Sequence, residues 1–153
     1  MPERPPPACP PALRPLSFLS FDFGTRRVGV ACGNSLLRSA RALKTVAALG
    51  DARFDAIGRL VQEWQPDALV VGVPFHPDGA PHDNTQRARR FARQLQGRFR
   101  LPVHEVDERY TTTEALAAGA ADADAAAAAL ILDQFLRSLP AEQPRDDDAG
   151  TRR

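Results

Sequence analysis

Apolar positions along the chain follow two rhythms. Leu16–Phe23 (LSFLSFDF) is a short run rich in leucine and phenylalanine. It is too brief for a useful helix and suits a buried central strand. Val28–Cys32 reads as a second strand, and Gly24-Thr25-Arg26-Arg27 supplies the turn between them, with Gly24 free to take positive φ. Ala40–Val46 can form a third strand. From Asp51 the period changes: Phe54, Ile57, Leu60, Val61 and Trp64 recur at helical spacing, with Asp51 as the cap and Pro66 as the stop. Ala68–Val73 is unbroken apolar sequence, the pattern of a strand covered on both faces. Pro74–Asn84 is a loop with a Pro-Asp-Gly turn signal. Thr85–Phe99 predicts a helix with the stripe Ala88, Phe91, Ala92, Leu95 and Phe99. Leu101–Val106 is the last strand. Thr111-Thr112-Thr113-Glu114 fits a capping box that opens a short helix, broken at Gly119. The final helix runs from about Asp122 to Leu139. The expected order is β-β-β-α-β-α-β-α, an α/β domain with a mixed central sheet flanked by helices.

Composition sets the limits of that domain. Of the 14 prolines in 153 residues, half stand before Leu16. Residues 1–15 are therefore expected to be an extended, disordered tail, and residues 140–153, polar and aperiodic, a second one. Residues 16–139 remain as one domain, long enough to bury a core. The net charge of +1 announces no nucleic-acid partner, so any basic surface must be local. Cys9 and Cys32 suggest neither a disulfide framework nor a zinc site. Without a signal-peptide core or a membrane-length run, a soluble cytoplasmic protein is expected, with no membrane partner.

Against this frame a few polar residues stand out. Asp22 closes an apolar strand; it either caps the turn's own amides or serves as a metal ligand or catalytic acid. Asp107 and Glu108 form a second acidic pair at a strand end. On the helical wheel, Asp124 shares a face with Ala128, Ile131, Leu132 and Phe135, which must pack on the sheet, whereas Asp122 and Asp133 fall on the opposite, solvent side. Asp124 is then a site candidate or the helix N-cap. Arg87, Arg89, Arg90, Arg93 and Arg98 lie off the apolar stripe of their helix with no acid among them. They form a solvated face or meet an anionic partner. His76, His82 and His104 lack ligand spacing, Trp64 and Phe54 read as core, and Cys32 reads as a small buried residue. Clustered carboxylates repel and call for a hard cation, and such a site suits metal-assisted phosphodiester hydrolysis.

Five segments together resemble the YqgF/RuvX family of RNase H-like proteins: Asp22–Ala31 (DFGTRRVGVA), Leu69–Gly79 (LVVGVPFHPDG), Thr85–Leu95 (TQRARRFARQL), Leu101–Ala115 (LPVHEVDERYTTTEA) and Asp124–Leu136 (DAAAAALILDQFL). The family has been described as Holliday junction resolvases and as nucleases that process the 5′ end of pre-16S rRNA. The resemblance implies a single RNase H-like domain. It also implies that Asp22, an acid of the Asp107-Glu108-Arg109 motif, and Asp124 hold Mg²⁺ or Mn²⁺ as the catalytic carboxylates. Structured RNA or branched DNA is the implied partner, and a homodimer stays open. Glu108 is the expected ligand of the acidic pair, because strand alternation puts it on one face with Val106, and Asp107 on the other. Arg26, Arg27, Arg89, Arg90, Arg93 and Arg109 are expected to meet phosphates. Two departures from the family stand out. Ala117–Ala123 lacks the family's basic residues, and Val73-Pro74-Phe75 offers no carboxylate after its strand. An actin-like ATPase would need a second such domain, and a nucleic-acid-binding module without activity is the third class.

Overall fold

The computed structural model describes residues 15–76, 78–81, 83–108, 117 and 119–140. Its elements follow the expected order. They are β1 (Ser17–Asp22), β2 (Val28–Asn34), β3 (Ala40–Val46), α1 (Gly50–Trp64), β4 (Ala68–Val73), α2 (Asp83–Phe99), β5 (Val103–Asp107) and α3 (Ala123–Ser138). The helix expected from Thr111, Arg109, His82 and nearly all of both expected tails lie outside the described residues. Among the described residues no helix is long and apolar enough to cross a membrane.

The five strands form one sheet in the order β3-β2-β1-β4-β5. The pairs β1–β2 and β2–β3 are antiparallel, while β1–β4 and β4–β5 are parallel. Alternation along β1 divides its side chains between two layers. Leu19 and Phe21 enter a core with Phe54 and Ile57 of α1 and with Phe91, Ala92 and Leu95 of α2. Phe21 and Phe91 meet edge-on with ring centroids 6.0 Å apart. Phe18 enters the other, smaller core, with Ala68, Val70, Val106 and Ile131, Leu132 and Leu136 of α3.

The α3 layer is built from small residues. Phe18, Ser20 and Asp22 of β1 stand in register with Gly33, Ala31 and Gly29 of β2. A strand face of glycine and alanine lets an alanine-rich helix approach closely, and Ala125, Ala127 and Ala128 are buried there. The Ser20 hydroxyl donates to the Ala128 carbonyl at 2.8 Å, pinning β1 to the helix.

Three expectations about caps and faces are corrected. Asp51 does not cap α1; the N-cap is Leu49 without a side-chain bond, and Asp51 pairs with Arg98 at 3.3 Å. Asp133 is not a solvent-side residue, because its Oδ1 accepts from the Ala40 amide at 2.8 Å. Asp122 is likewise engaged, as described below. The wheel gives an angle about the helix, and β3 reaches under the side it assigned to water. Trp64 lies at the core's rim, only partly buried, with the Arg41 guanidinium 5.8 Å from its ring centroid. Burial pushes the Cys32 thiol up, partly offset by Arg41, which fits an unreactive residue.

Candidate active site

Asp22 is the last residue of β1 and faces α3 by alternation with Phe18 and Ser20. Its partners across the sheet are both glycines, Gly29 in β2 and Gly72 in β4. Each glycine leaves room for another acid. A Cβ at Gly29 would overlap the Asp124 carbonyl and stand 2.8 Å from the Ala125 amide nitrogen, so the first turn of α3 rests directly on the strand. A Cβ at Gly72 would stand 2.7 Å from Glu108 Oε2 and would overlap Ile131 Cδ1. The Glu108 carboxylate therefore folds back over β4. The row Gly29–Asp22–Gly72 thus carries Asp124 above one end, Asp22 at its centre and Glu108 above the other. Strand spacing makes the row about 10 Å from end to end.

Asp107 pairs with Val73 in register and by alternation points to the α2 layer, away from this row. Asp22, Asp107 and Glu108 are each only partly exposed and each engaged with neighbours.

The helix that delivers Asp124 is fixed by polar ties at both ends. Asp122 is the N-cap and accepts from the Ala125 amide at 3.1 Å, while its Oδ1 also accepts from the Thr45 hydroxyl. The capping role open to Asp124 thus belongs to Asp122, two residues earlier. At the far end Arg38 donates to the Leu139 carbonyl at 2.9 Å. Asp124 instead meets a cation: Arg27 Nε lies 3.0 Å from its Oδ2, with the arginine side chain 65% and the aspartate side chain 35% exposed.

The arginines divide into two groups. Arg26 and Arg27 stand exposed in the turn beside the acid row. Arg89, Arg90 and Arg93 lie on α2, across the sheet from the row. Arg89 also has local work, with Nε 3.3 Å from Glu105 Oε1 and its guanidinium 5.2 Å from the Phe75 ring centroid. Arg90 and Arg93 are exposed.

One supporting residue escaped the reading of the sequence. Arg53 of α1 is 6% exposed and donates to the Thr25 carbonyl at 3.2 Å and the Ala48 carbonyl at 3.1 Å. It thereby holds the turn that follows Asp22, and burial lowers its pKa. Its signal was positional: Arg53 precedes Ile57 by four, on the apolar stripe of the helix.

The donors suit a hard cation, since three carboxylates supply oxygen ligands of the kind Mg²⁺ and Mn²⁺ prefer. The two glycine gaps bring them to one row. Among the described residues, however, no three acidic, histidine or cysteine side chains are grouped closely enough to hold an ion as they stand. The Asp124 carboxylate is turned to Arg27 instead.

An open mixed sheet with carboxylates at the end of its first strand, beyond its last and on the final helix defines an RNase H-like α/β domain. In keeping with that class, the chain is similar in fold to Thermus thermophilus RuvC solved in complex with a Holliday junction substrate, with a TM-score of 0.50 at 16% identity over 80% of this chain and 95% of that one. The family model described as "RuvX: Holliday junction resolvase" matches residues 16–138, and the chain belongs to that family. It is 71% identical over 123 residues to an Albidiferax ferrireducens protein, covering 80% of this chain and 79% of that protein. It is 68% identical over 124 residues to a Polaromonas protein, covering 81% of this chain and 90% of that one. Both relatives carry the name "Putative pre-16S rRNA nuclease".

Proposed function

We propose that this chain is a divalent-cation-dependent nuclease that hydrolyses phosphodiester bonds in precursor 16S ribosomal RNA, acting in the cytoplasm. The observation that carries this reading is the row at the sheet end, where Gly29 and Gly72 flank Asp22 and make room for Asp124 and Glu108. The relatives' names support the substrate. The description of the family model favours a second reading, a four-way DNA junction as substrate.

Asp22, Glu108 and Asp124 would hold Mg²⁺ or Mn²⁺. Such a cation supplies Lewis-acid activation of the phosphodiester and of the attacking water. The chain's part is to place oxygen donors rigidly. Asp22 is fixed by pairing on both sides, Glu108 is held over Gly72, and Asp124 is held by a capped helix seated on Gly29. Asp107 serves the α2 side and is not needed as a ligand. Arg26 and Arg27, beside the row, are placed to meet the phosphates that flank the scissile bond. Arg90 and Arg93 offer a more distant phosphate track around the sheet.

The test is cleavage by the purified full chain of three substrates: a pre-16S rRNA 5′ leader, an unrelated RNA duplex and a four-way DNA junction. Each is assayed with Mn²⁺, Mg²⁺ or chelator. Cation-dependent cleavage of the leader in preference to the other two is expected. Preference for the junction would move the substrate to DNA. Cleavage that persists in chelator would remove the cation. Tight binding of the leader with no cleavage in any condition would make the chain a binding module.

A further inference from the structure

We propose that Arg27 is a latch on Asp124: it holds the carboxylate in the cation-free protein and surrenders it when a substrate phosphate takes the guanidinium. This rests on the reading of Asp22, Glu108 and Asp124 as cation ligands. Three observations point to it. Arg27 Nε occupies Asp124 Oδ2 at 3.0 Å. As the side chains stand, no three acidic, histidine or cysteine groups among the described residues come together to hold an ion, and the Asp124 carboxylate is turned to Arg27. Finally, Arg27 is the more exposed partner, at 65%, so an incoming anion can reach its guanidinium without unfolding anything.

The chemistry of exchange follows from charge. A guanidinium presents several donors in a planar fork that matches phosphate as well as carboxylate. A half-exposed ion pair is weak, so the latch is easily opened. Arg27 also stands directly before β2, whose Gly29 supports the helix end bearing Asp124, so the turn that carries Arg27 ends beside its partner. Only side-chain rotation is needed to pass from one partner to the other. Nucleic acid and cation would then help each other bind: phosphate on Arg27 frees Asp124 for the cation, and cation on Asp124 frees Arg27 for phosphate. Linkage requires the two effects to be equal. The device would keep Asp124 neutralised, and the enzyme weakly loaded with metal, until substrate arrives.

The test is direct Mn²⁺ titration of the full chain, by calorimetry or by loss of the free-ion electron paramagnetic resonance signal, for native protein, Arg27→Gln, Arg27→Lys and Asp124→Asn. Arg27→Gln is expected to bind Mn²⁺ about fivefold more tightly than native, the free energy of a half-exposed ion pair removed from competition. Arg27→Lys should fall between the two, and Asp124→Asn should bind more weakly. In a second arm, anisotropy of a labelled, uncleavable 2′-O-methyl RNA duplex is read with Mn²⁺ and with chelator at matched ionic strength. Mn²⁺ should tighten RNA binding about fivefold more in native protein than in Arg27→Gln, the excess being the latch's share of the gain. Weaker or equal Mn²⁺ binding by Arg27→Gln would overturn the latch and make Arg27 a fixed support for Asp124. Equal Mn²⁺ binding by native and Asp124→Asn would overturn the ligand assignment itself, and the latch with it. Melting temperatures near native, expected for a change at so exposed a side chain, separate these outcomes from misfolding.

Discussion

Towards α1 and α2, β1 presents Leu19 and Phe21 and β4 presents Leu69 and Val71, all packed against aromatic and branched side chains. Towards α3, the same two strands present Phe18, Ser20 and Asp22, and Ala68, Val70 and Gly72. One face is large and apolar throughout. The other is apolar from the end where Phe18 meets Phe135, their centroids 5.2 Å apart, through Val70 and Ile131, and on β1 turns polar and spare towards Asp22. The contrast shows how a small domain keeps charged oxygens at a sheet. The cohesive face supplies most of the burial, which leaves the other free to spend positions on glycines and acids. Each glycine gives up side-chain packing so that a carboxylate or a helix end can come close.

The largest expected effects separate the faces cleanly. Asp22→Asn keeps shape and removes charge, so it should cost about a thousandfold or more in cleavage rate with the melting temperature nearly unchanged. Phe21→Ala, one residue away on the other face, should cost about 3–5 kcal/mol of stability. Its remaining folded fraction should cleave at the native rate. Chemical denaturation and single-turnover cleavage measure the two quantities. An Asp22→Asn protein that cleaves normally would break the assignment of chemistry to the α3 face.

The two glycines test the same contrast within one face. At Gly29 the obstacle is backbone, the carbonyl of Asp124, which cannot swing aside. Gly29→Ala should lift the start of α3, costing about 1–3 kcal/mol together with most of the cleavage rate. At Gly72 the obstacles are the ends of the Glu108 and Ile131 side chains. Gly72→Ala should therefore cost less stability and still lower the rate about tenfold to a hundredfold, because Glu108 is pushed off its place. Equal loss of stability from both changes would show that the helix and the Glu108 carboxylate are held with the same rigidity.

How far these features were legible in the sequence depends on what each one needed. Asp22 was visible because an acid inside an apolar strand is out of place. The separation of Glu108 from Asp107 was visible because alternation has period two and holds one residue beyond β5. The wheel turned Asp124 inward because α3 has a real apolar stripe. What stayed hidden were partners. The value of Gly72 lies in register with a strand far away in the chain, and that of Gly29 in the start of α3, further away still. The Arg27–Asp124 pair spans a similar distance, as do the ties from Asp133 to Ala40 and from Arg38 to Leu139. No local period encodes those. The basic run on α2 was visible as charge, but its placement across the sheet from the acids was not.

Arg53 links the two faces, because it reaches from the cohesive side to the turn that follows Asp22. Arg53→Met keeps the apolar stem and removes the donors to Thr25 and Ala48. A loss of about 1–3 kcal/mol is expected from the carbonyls left without a partner. The Asp22 turn should loosen as well, read as faster amide exchange from Gly24 to Arg27. Unchanged exchange there would confine Arg53 to the core.

The smallest effect concerns Asp122, and it probes how precisely the α3 face must hold its helix. Asp122 caps α3 through the Ala125 amide and accepts from Thr45, yet it stands two residues before the acid assigned to chemistry. Its wheel position alone, on the solvent side, suggests that Asp122→Asn would be nearly silent. The observed bonds make the outcome depend on the substitution. Asparagine keeps the side-chain oxygen that both donors use and caps helices about as well as aspartate, so Asp122→Asn should cost only tenths of a kcal/mol. Asp122→Ala removes the acceptor for both, and about 1 kcal/mol should be lost. Because Gly29 still seats the helix, Asp124 should keep its place and the cleavage rate should fall less than tenfold. Equal damage from both substitutions would mean that the charge of Asp122, rather than its hydrogen bonds, matters at the helix start. A large loss of rate at unchanged stability would move Asp122 into the acid row beside Asp124.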